Sequence, residues 1–359
     1  MIDPIVSETQ RLTAGFVAAG AVPVEADILQ SADTLLDLYG EDIRSRAYVT
    51  ADPLAGELML RPDFTVPVVQ MHMESRTDPA RYTYAGPVFR KQETDEARAR
   101  EFIQVGFEVF DGADPSGADA DVFVAVQSAL DGLPVRAATG DLGVLLAAVR
   151  GLQTSQARKD ALLRHIWRPR RFRALLDRFG GRTPPPPSRI ALLSAKDPFE
   201  NVGPALGKRS QSEVARRIDA LRKDADEAPI SGDELGLIDA LLGLQETMPN
   251  VLSALHDIAV DMPSIAGAVQ SVSRRMDALS ARGVDVENLD FEASYGRTTL
   301  EYYDGFVFGF YASERPDLPP IATGGRYDAL TAQLGAGQAQ PAVGAVVRPD
   351  LCVQLQGDT

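Results

Sequence analysis

The chain has 359 residues, 45% apolar and 24% charged, with a formal net charge of −15. That make-up fits a soluble globular protein large enough for two structural units, not a disordered chain. The acidic balance argues against a function built on broad contact with nucleic-acid phosphates, which calls for an excess of Lys and Arg. No stretch approaches the roughly 18 to 20 apolar residues of a membrane span. The start, MIDPIVSETQ, lacks the basic flank and apolar run of a signal peptide. Cys352 is the single cysteine, so no intrachain disulfide is possible, and a cytoplasmic location is expected. The three histidines, His72, His165 and His256, stand too far apart for metal-ligand spacing. Neither a Gly-x-x-x-x-Gly-Lys loop nor a Rossmann fingerprint is present, and no metal or cofactor is expected.

In chain order, residues 8–40 read as helical, with Leu12, Phe16, Val17, Ile28, Leu35, Leu36 and Leu38 at helix-like spacing. From Ala47 the pattern predicts two short strands joined by the turn-prone DPLAG, then a helix beginning near Thr65. RYTYAGPVFRKQ and REFIQVGFEVFDG each alternate apolar with polar residues, which predicts an antiparallel pair with the charged segment ETDEARA at its tip. DADVFVAVQSAL returns to helix. From 141 to 286, seven Leu- and Ala-rich segments carry helical spacing, with Pro184 to Pro187 a stiff break among them. LEYYDGFVFGFYA, PPIATGGRY and PAVGAVV then restore strand character. The sheet is therefore expected to draw on both ends of the chain: residues 1–140 and 287–359 form one core, and 141–286 a mostly helical insertion.

The stretch around the predicted strand pair holds Gly86, Pro87, Phe89, Arg90, Arg98, Arg100, Phe102, Gln104, Gly106 and Glu108. This set and its spacing resemble motif 2 of class II aminoacyl-tRNA synthetases, in the histidyl branch. Leu60-Arg61-Pro62-Asp63-Phe64-Thr65 resembles that branch's Leu-Arg-Pro-Glu-x-Thr. Leu300-Glu301-Tyr302-Tyr303 resembles its histidine-specific Leu-Asp-Tyr-Tyr. Gly324-Gly325-Arg326-Tyr327-Asp328 resembles the glycine-rich segment before motif 3. The resemblance implies an α+β fold: a class II synthetase-like antiparallel sheet flanked by helices, with a helical insertion. It also implies a pocket for free histidine. Asp63, Thr65 and Gln104 would face the ammonium, Arg90 would take the carboxylate, and Glu108 and Tyr303 would bracket the imidazole, with Tyr302 in support. Such a ligand needs acceptors, a cation and polar groups at its ring edge. Gln104 and Glu108, four apart on a strand, share a face.

The nucleotide-handling half of the pattern is altered. The arginine that precedes the tyrosine motif in synthetases aligns with Thr298, and Arg297 lies one residue away, on the other face if the segment is a strand. The motif 3 arginine aligns with Leu351, leaving Arg348 three residues earlier. Gln92-Glu93-Thr94 stands where synthetases have Glu-Arg-Pro. Only Pro349 to Thr359 follow motif 3, fewer than the order of 100 residues of an anticodon-binding domain.

An amino-acid pocket without the adenylation cations resembles the non-catalytic regulatory subunits of short-form ATP phosphoribosyltransferase. That family implies no catalytic residue in this chain. It implies a separate short-form catalytic subunit as partner, histidine as feedback ligand, and a homodimer within a hetero-oligomer, with neither nucleic acid nor membrane as partner. Two other readings stay open: a truncated synthetase paralogue that still activates or ligates an amino acid, for which Arg90 and Arg98 speak, and a scaffold with a vestigial pocket. Taken singly, Asp63 and Arg90 read as a structural ion pair, the tyrosines as strand packing, Gly324 and Gly325 as a turn or bulge, and Arg164, Arg168, Arg170, Arg171 and Arg173 as a solvated face able to steer an acidic partner. The regulatory reading expects the purified chain to catalyse no histidine-dependent exchange of pyrophosphate into ATP; turnover above background decides for the synthetase paralogue.

Overall fold

The computed structural model describes residues 3–39, 43–92, 98–200, 203, 209–297 and 302–357. Its strands are β1 (Val22–Pro23), β2 (Leu29–Ser31), β3 (Val49–Asp52), β4 (Gly56–Leu60), β5 (Ala80–Phe89), β6 (Glu101–Phe110), β7 (Val135–Asp141), β8 (Gln245–Thr247), β9 (Asp290–Glu292), β10 (Phe306–Ala312), β11 (Ala322–Arg326) and β12 (Ala342–Val347). Nine of them form one sheet in the order β1-β5-β6-β12-β11-β10-β7-β9-β8, and β2-β4-β3 form a small antiparallel sheet. The six central strands are antiparallel. Parallel pairs, β1 on β5 and β9 on β7, widen the sheet at its two margins.

The alternation along β6 explains why this strand occupies the middle. Val105, Phe107 and Val109 face the larger hydrophobic core with Leu12, Phe16 and Phe123 from two flanking helices, Pro4–Ala18 and Pro115–Ala129. Phe16 and Phe107 stack with centroids 5.2 Å apart. Residues of the opposite parity, Phe102, Gln104, Glu108 and Phe110, present a polar and aromatic face to the other side. The same core runs on without a break into the central helices through Leu162, Phe172, Leu241, Leu255 and Val272.

All seven Leu- and Ala-rich segments form helices, from Leu142–Gly151 to Ala266–Ala281. Four local expectations change. Residues 8–40 are not one helical stretch: Pro4–Ala18 ends before Gly20, whose φ is 91°, and β1 and β2 precede the helix Ala32–Tyr39. The strand β7, with its small and polar Val-Arg-Ala-Ala-Thr-Gly-Asp, carries too little β-branched content to stand out in the sequence. The central helical region also supplies a strand, β8, which pairs with β9 at the sheet margin. Gly324 and Gly325 lie inside β11, paired with Phe308 and Val307, rather than in a turn. The charged strand-tip residues 93–97 lie outside the described residues.

A buried ion network ties the central helices to the sheet. Arg275, on Ala266–Ala281, donates Nε to Asp119 at 2.7 Å and Nη1 to Asp141 at 2.8 Å. Arg326, at the end of β11, donates to the same Asp119 at 2.7 Å and to Asp328 at 2.9 Å. Burial of these charges is costly unless each has its partner. Arg275→Met leaves the Asp141 carboxylate buried without this guanidinium, and unfolding free energy is expected to fall by about 3–5 kcal/mol. Arg275→Lys recovers only part of it, because an ammonium cannot reproduce the forked geometry. Denaturant unfolding measures both, and a loss under about 1 kcal/mol, the size of an exposed pair, would contradict the network's structural role.

Candidate functional site

A cavity of about 290 Å³ opens where the helix Thr65–Ser75 begins, over β6, β11 and β12. Six of the seven residues expected from the sequence line it: Asp63, Thr65, Arg90, Gln104, Tyr302 and Tyr303. Phe102, Arg98 and Arg348 line it as well, and Gly344 to Val346 form part of its wall. This volume is at the small end for ligand sites, suited to one molecule of amino-acid size.

Each side chain is placed by a local constraint. After β4 the chain turns through Arg61–Phe64, fixed by Arg61, which donates Nε to the Pro87 carbonyl at 2.9 Å and lies 3.8 Å over the Phe64 ring. That turn delivers the buried Asp63, whose Oδ1 accepts from the Val66 amide at 3.4 Å, and Thr65. Arg90, just past β5, donates Nε to the Pro62 carbonyl at 2.8 Å. This bond orients the guanidinium and leaves its two terminal nitrogens for other partners. Gln104 is 2% exposed, and its Oε1 has no hydrogen-bond partner among the described residues. A buried acceptor left unpaired costs about 1–3 kcal/mol. Tyr302 and Tyr303 lie edge to face with centroids 5.0 Å apart. They sit in the turn ahead of β10 rather than within a strand.

Glu108 departs from its expected place. It does not line the cavity; it lies beneath, 1% exposed, with its acceptors taken by protein hydroxyls. Tyr84 donates to Oε1 at 2.7 Å, Thr65 to Oε1 at 3.0 Å and Tyr327 to Oε2 at 2.6 Å. Two glycines make this packing possible. A Cβ on Gly344 would lie 1.4 Å from Glu108 Oε2, and one on Gly106 would lie 2.0 Å from Tyr84 Cζ. Burial pushes the Glu108 carboxyl up to about 7, against the pull of its three hydroxyl donors. Burial and the nearby carboxylate hold Tyr84 and Tyr327 well above the usual phenol range, so both keep their protons and donate. Thr65 belongs to both layers: its hydroxyl donates to Glu108, and the residue lines the cavity.

Arg100 is exposed and outside the cavity, since β6 begins only at Glu101. Of the altered nucleotide positions, Leu351 is buried in the hydrophobic core. Arg297 points elsewhere: it donates Nε to the Ile166 carbonyl at 2.8 Å and lines a different cavity. Arg348 does reach the cavity wall, where it lies 4.0 Å over the Phe102 ring and pairs with Asp350 at 2.5 Å. Thr298, Leu300 and Glu301, and Glu93 and Thr94, lie outside the described residues. Motif spacing gives no role to Tyr84 or Tyr327, and gives Arg348 one only if the motif 3 alignment shifts. The signal available for Tyr327 was its place directly after the Gly-Gly-Arg segment; Tyr84 lies opposite Gly106 only once β5 and β6 are in register.

The profile of the histidyl-tRNA synthetase family matches residues 6–196 and 214–350. The ATP phosphoribosyltransferase regulatory subunit of Brucella canis is 31% identical over 357 residues, covering 93% of each chain, and that of Brucella abortus aligns equally well. The chain belongs to the family of ATP phosphoribosyltransferase regulatory subunits. Its fold is shared with a Bacillus halodurans protein described as ATP phosphoribosyltransferase regulatory subunit/histidyl-tRNA synthetase, at TM-score 0.68 and 20% identity over 99% of this chain and 81% of that one. A histidine–tRNA ligase subunit of Alicyclobacillus acidocaldarius gives TM-score 0.62 and 22% identity, covering 100% and 96%. Membership places the chain among regulatory subunits rather than catalysts. No helix among the described residues is long and apolar enough to cross a membrane.

The elevated Glu108 pKa fixes a pH signature. The folded protein favours the neutral carboxyl, so the stability this contributes is fully present below its ordinary 4.5 and is lost as pH rises through about 7. Asp304, raised to about 7 by burial and by Asp328, adds a loss of the same sign. Glu108→Gln keeps the volume and removes one titration. Its melting temperature is expected to fall less than that of the native chain between pH 5 and 8, with the Asp304 share retained; parallel melting curves would show that Glu108 titrates normally.

Proposed function

We propose that this chain binds free histidine in the Asp63–Gln104 cavity and conveys it as feedback inhibition to a separate short-form ATP phosphoribosyltransferase catalytic subunit. That partner carries the first step of histidine synthesis, joining ATP to phosphoribosyl pyrophosphate; this chain is required for its full activity. In this reading Asp63, Thr65 and Gln104 accept from the ammonium, Arg90 takes the carboxylate, and Tyr302 and Tyr303 flank the imidazole. Glu108 is a positioning residue, acting through Thr65 and Tyr84. The pocket comes from residues 1–140 and 287–359, with 141–286 as the helical insertion. A homodimer within a cytoplasmic hetero-oligomer completes the proposal.

The observation that carries it is the buried Oε1 of Gln104, without a partner among the described residues, on a side chain that lines a cavity of amino-acid size together with Asp63 and Thr65. Three acceptors about one small volume, with a guanidinium on the same wall, match a zwitterion better than an anion or an apolar molecule. A site of this kind rejects ligands that leave its polar groups unpaired. Feedback then requires histidine to bind two states of the assembled enzyme unequally.

Gln104→Met keeps the length of the side chain and removes the acceptor. Calorimetric titration with histidine is expected to show a Kd roughly 10-fold higher or more, the worth of a hydrogen bond to a charged group. The histidine concentration that half-inhibits the assembled enzyme should rise by the same factor. Inhibition unchanged while binding weakens would separate the pocket from feedback; binding unchanged would remove Gln104 from the pocket.

A further inference from the structure

A second and larger cavity, about 1020 Å³, lies between the sheet margin β7-β9-β8 and the helix Pro169–Phe179. Its lining includes Arg136, Phe172, Arg173, Glu246, Glu292 and Arg297. The geometry of Arg297 is unusual for an arginine. It is 5% exposed, its Nε is held by the Ile166 carbonyl, and its guanidinium lies 4.8 Å over the Phe172 ring. Among the described residues, Nη2 has no hydrogen-bond partner and no carboxylate forms an ion pair with the guanidinium. The other cations here are engaged: Arg173 with Asp239, and Arg136 with Asp290 at 3.9 Å. Burial and the neighbouring Arg173 push the Arg297 pKa down to about 10, so it remains a cation at neutral pH. A buried, uncompensated charge costs several kcal/mol. The fork of N–H groups is held at one end and, among the described residues, unpaired at the other, and an oxyanion is the partner that such a fork takes.

We propose that this cavity is a second ligand site, which takes a small polyhydroxylated molecule through its phosphate or carboxylate group on the Arg297 guanidinium. Arg173 adds positive potential beside that group. Glu246 and Glu292 supply acceptors for the hydroxyls. The site is separate from the Gln104 pocket and independent of what that pocket binds. The ligand replaces a missing counter-charge, so binding should stabilise the fold as well as fill the cavity.

The chain's single tryptophan, Trp167, follows the carbonyl that holds Arg297 and packs against both hydrophobic cores, so its fluorescence reports on this region. The test titrates the full chain with ribose 5-phosphate, with gluconate and with ribose, reading Trp167 emission, calorimetric heat and melting temperature. Binding of either oxyanion, with none of ribose, supports the proposal, and the better of the two identifies phosphate or carboxylate as the group held. Arg297→Gln is expected to weaken that binding roughly 10- to 100-fold. Gln104→Met should leave it unchanged. If Arg297→Gln does not fold, Arg297→Lys keeps the charge without the fork and is expected to weaken binding by a smaller factor. Failure of both oxyanions to bind at millimolar concentration, or undiminished binding by a folded Arg297 variant, overturns the proposal.

Discussion

The Glu108 carboxylate is buried beneath the cavity with three hydroxyls directed onto it, and the rest of the site is arranged around that fact. Moving a carboxylate out of water is costly, and hydroxyl donors recover much of the cost. Here burial outweighs the donors but is partly offset by them, which is why the group sits close to 7, above the ordinary carboxylate range. The balance requires close approach from three parts of the chain: Thr65 at a helix start, Tyr84 on β5 and Tyr327 just past β11. It also requires two positions without a side chain, Gly106 and Gly344, to admit the tyrosine and the carboxylate. The Leu-Arg-Pro-Asp-Phe-Thr and Gly-Gly-Arg-Tyr-Asp segments, distant in sequence, thus meet at one buried carboxyl group.

From this anchor the polarity of the cavity follows. Thr65 donates inward to Glu108 and lines the cavity; Gln104 adds an acceptor unpaired among the described residues; Asp63 adds a carboxylate; Arg90, steadied by the Pro62 carbonyl, supplies the cation. In the proposed reading, an ammonium and a carboxylate on one small molecule would meet complementary groups there. The groups a synthetase would direct at a nucleotide are differently disposed: Leu351 is in the core, Arg297 is turned toward another cavity, and Arg348 is committed to Asp350 and the Phe102 ring. The buried network of Arg275, Arg326 and their aspartates then joins the central helices to β11, the strand that leads into Tyr327.

Much of this was legible in the sequence because motif spacing records geometry. Gln104 and Glu108 share a strand face by parity, and the alternation along β6 separates the hydrophobic core from the site. What the spacing could not record was depth. The same parity that aligned Glu108 with Gln104 gave no sign that Tyr84, Thr65 and Tyr327 would use up its acceptors and place it under the floor. Those donors are set by strand register and by side chains reaching from separate elements. The strand β7 and the short margin strands β8 and β9 are hidden for another reason: their small or polar residues carry little pattern, and tertiary pairing decides their state. Arg297 was expected to face away from the pocket by strand parity; it does face away, although the tyrosine segment beside it is a turn.

The most direct test is a crystal structure of the chain grown with saturating L-histidine. The account predicts density in the small cavity, with the ammonium at hydrogen-bond distance, about 2.7–3.2 Å, from Gln104 Oε1 and Thr65, the carboxylate on Arg90, and Glu108 still bonded only to its three hydroxyls. An empty cavity, or histidine bound there with its carboxylate against Asp63 and Gln104, would contradict it.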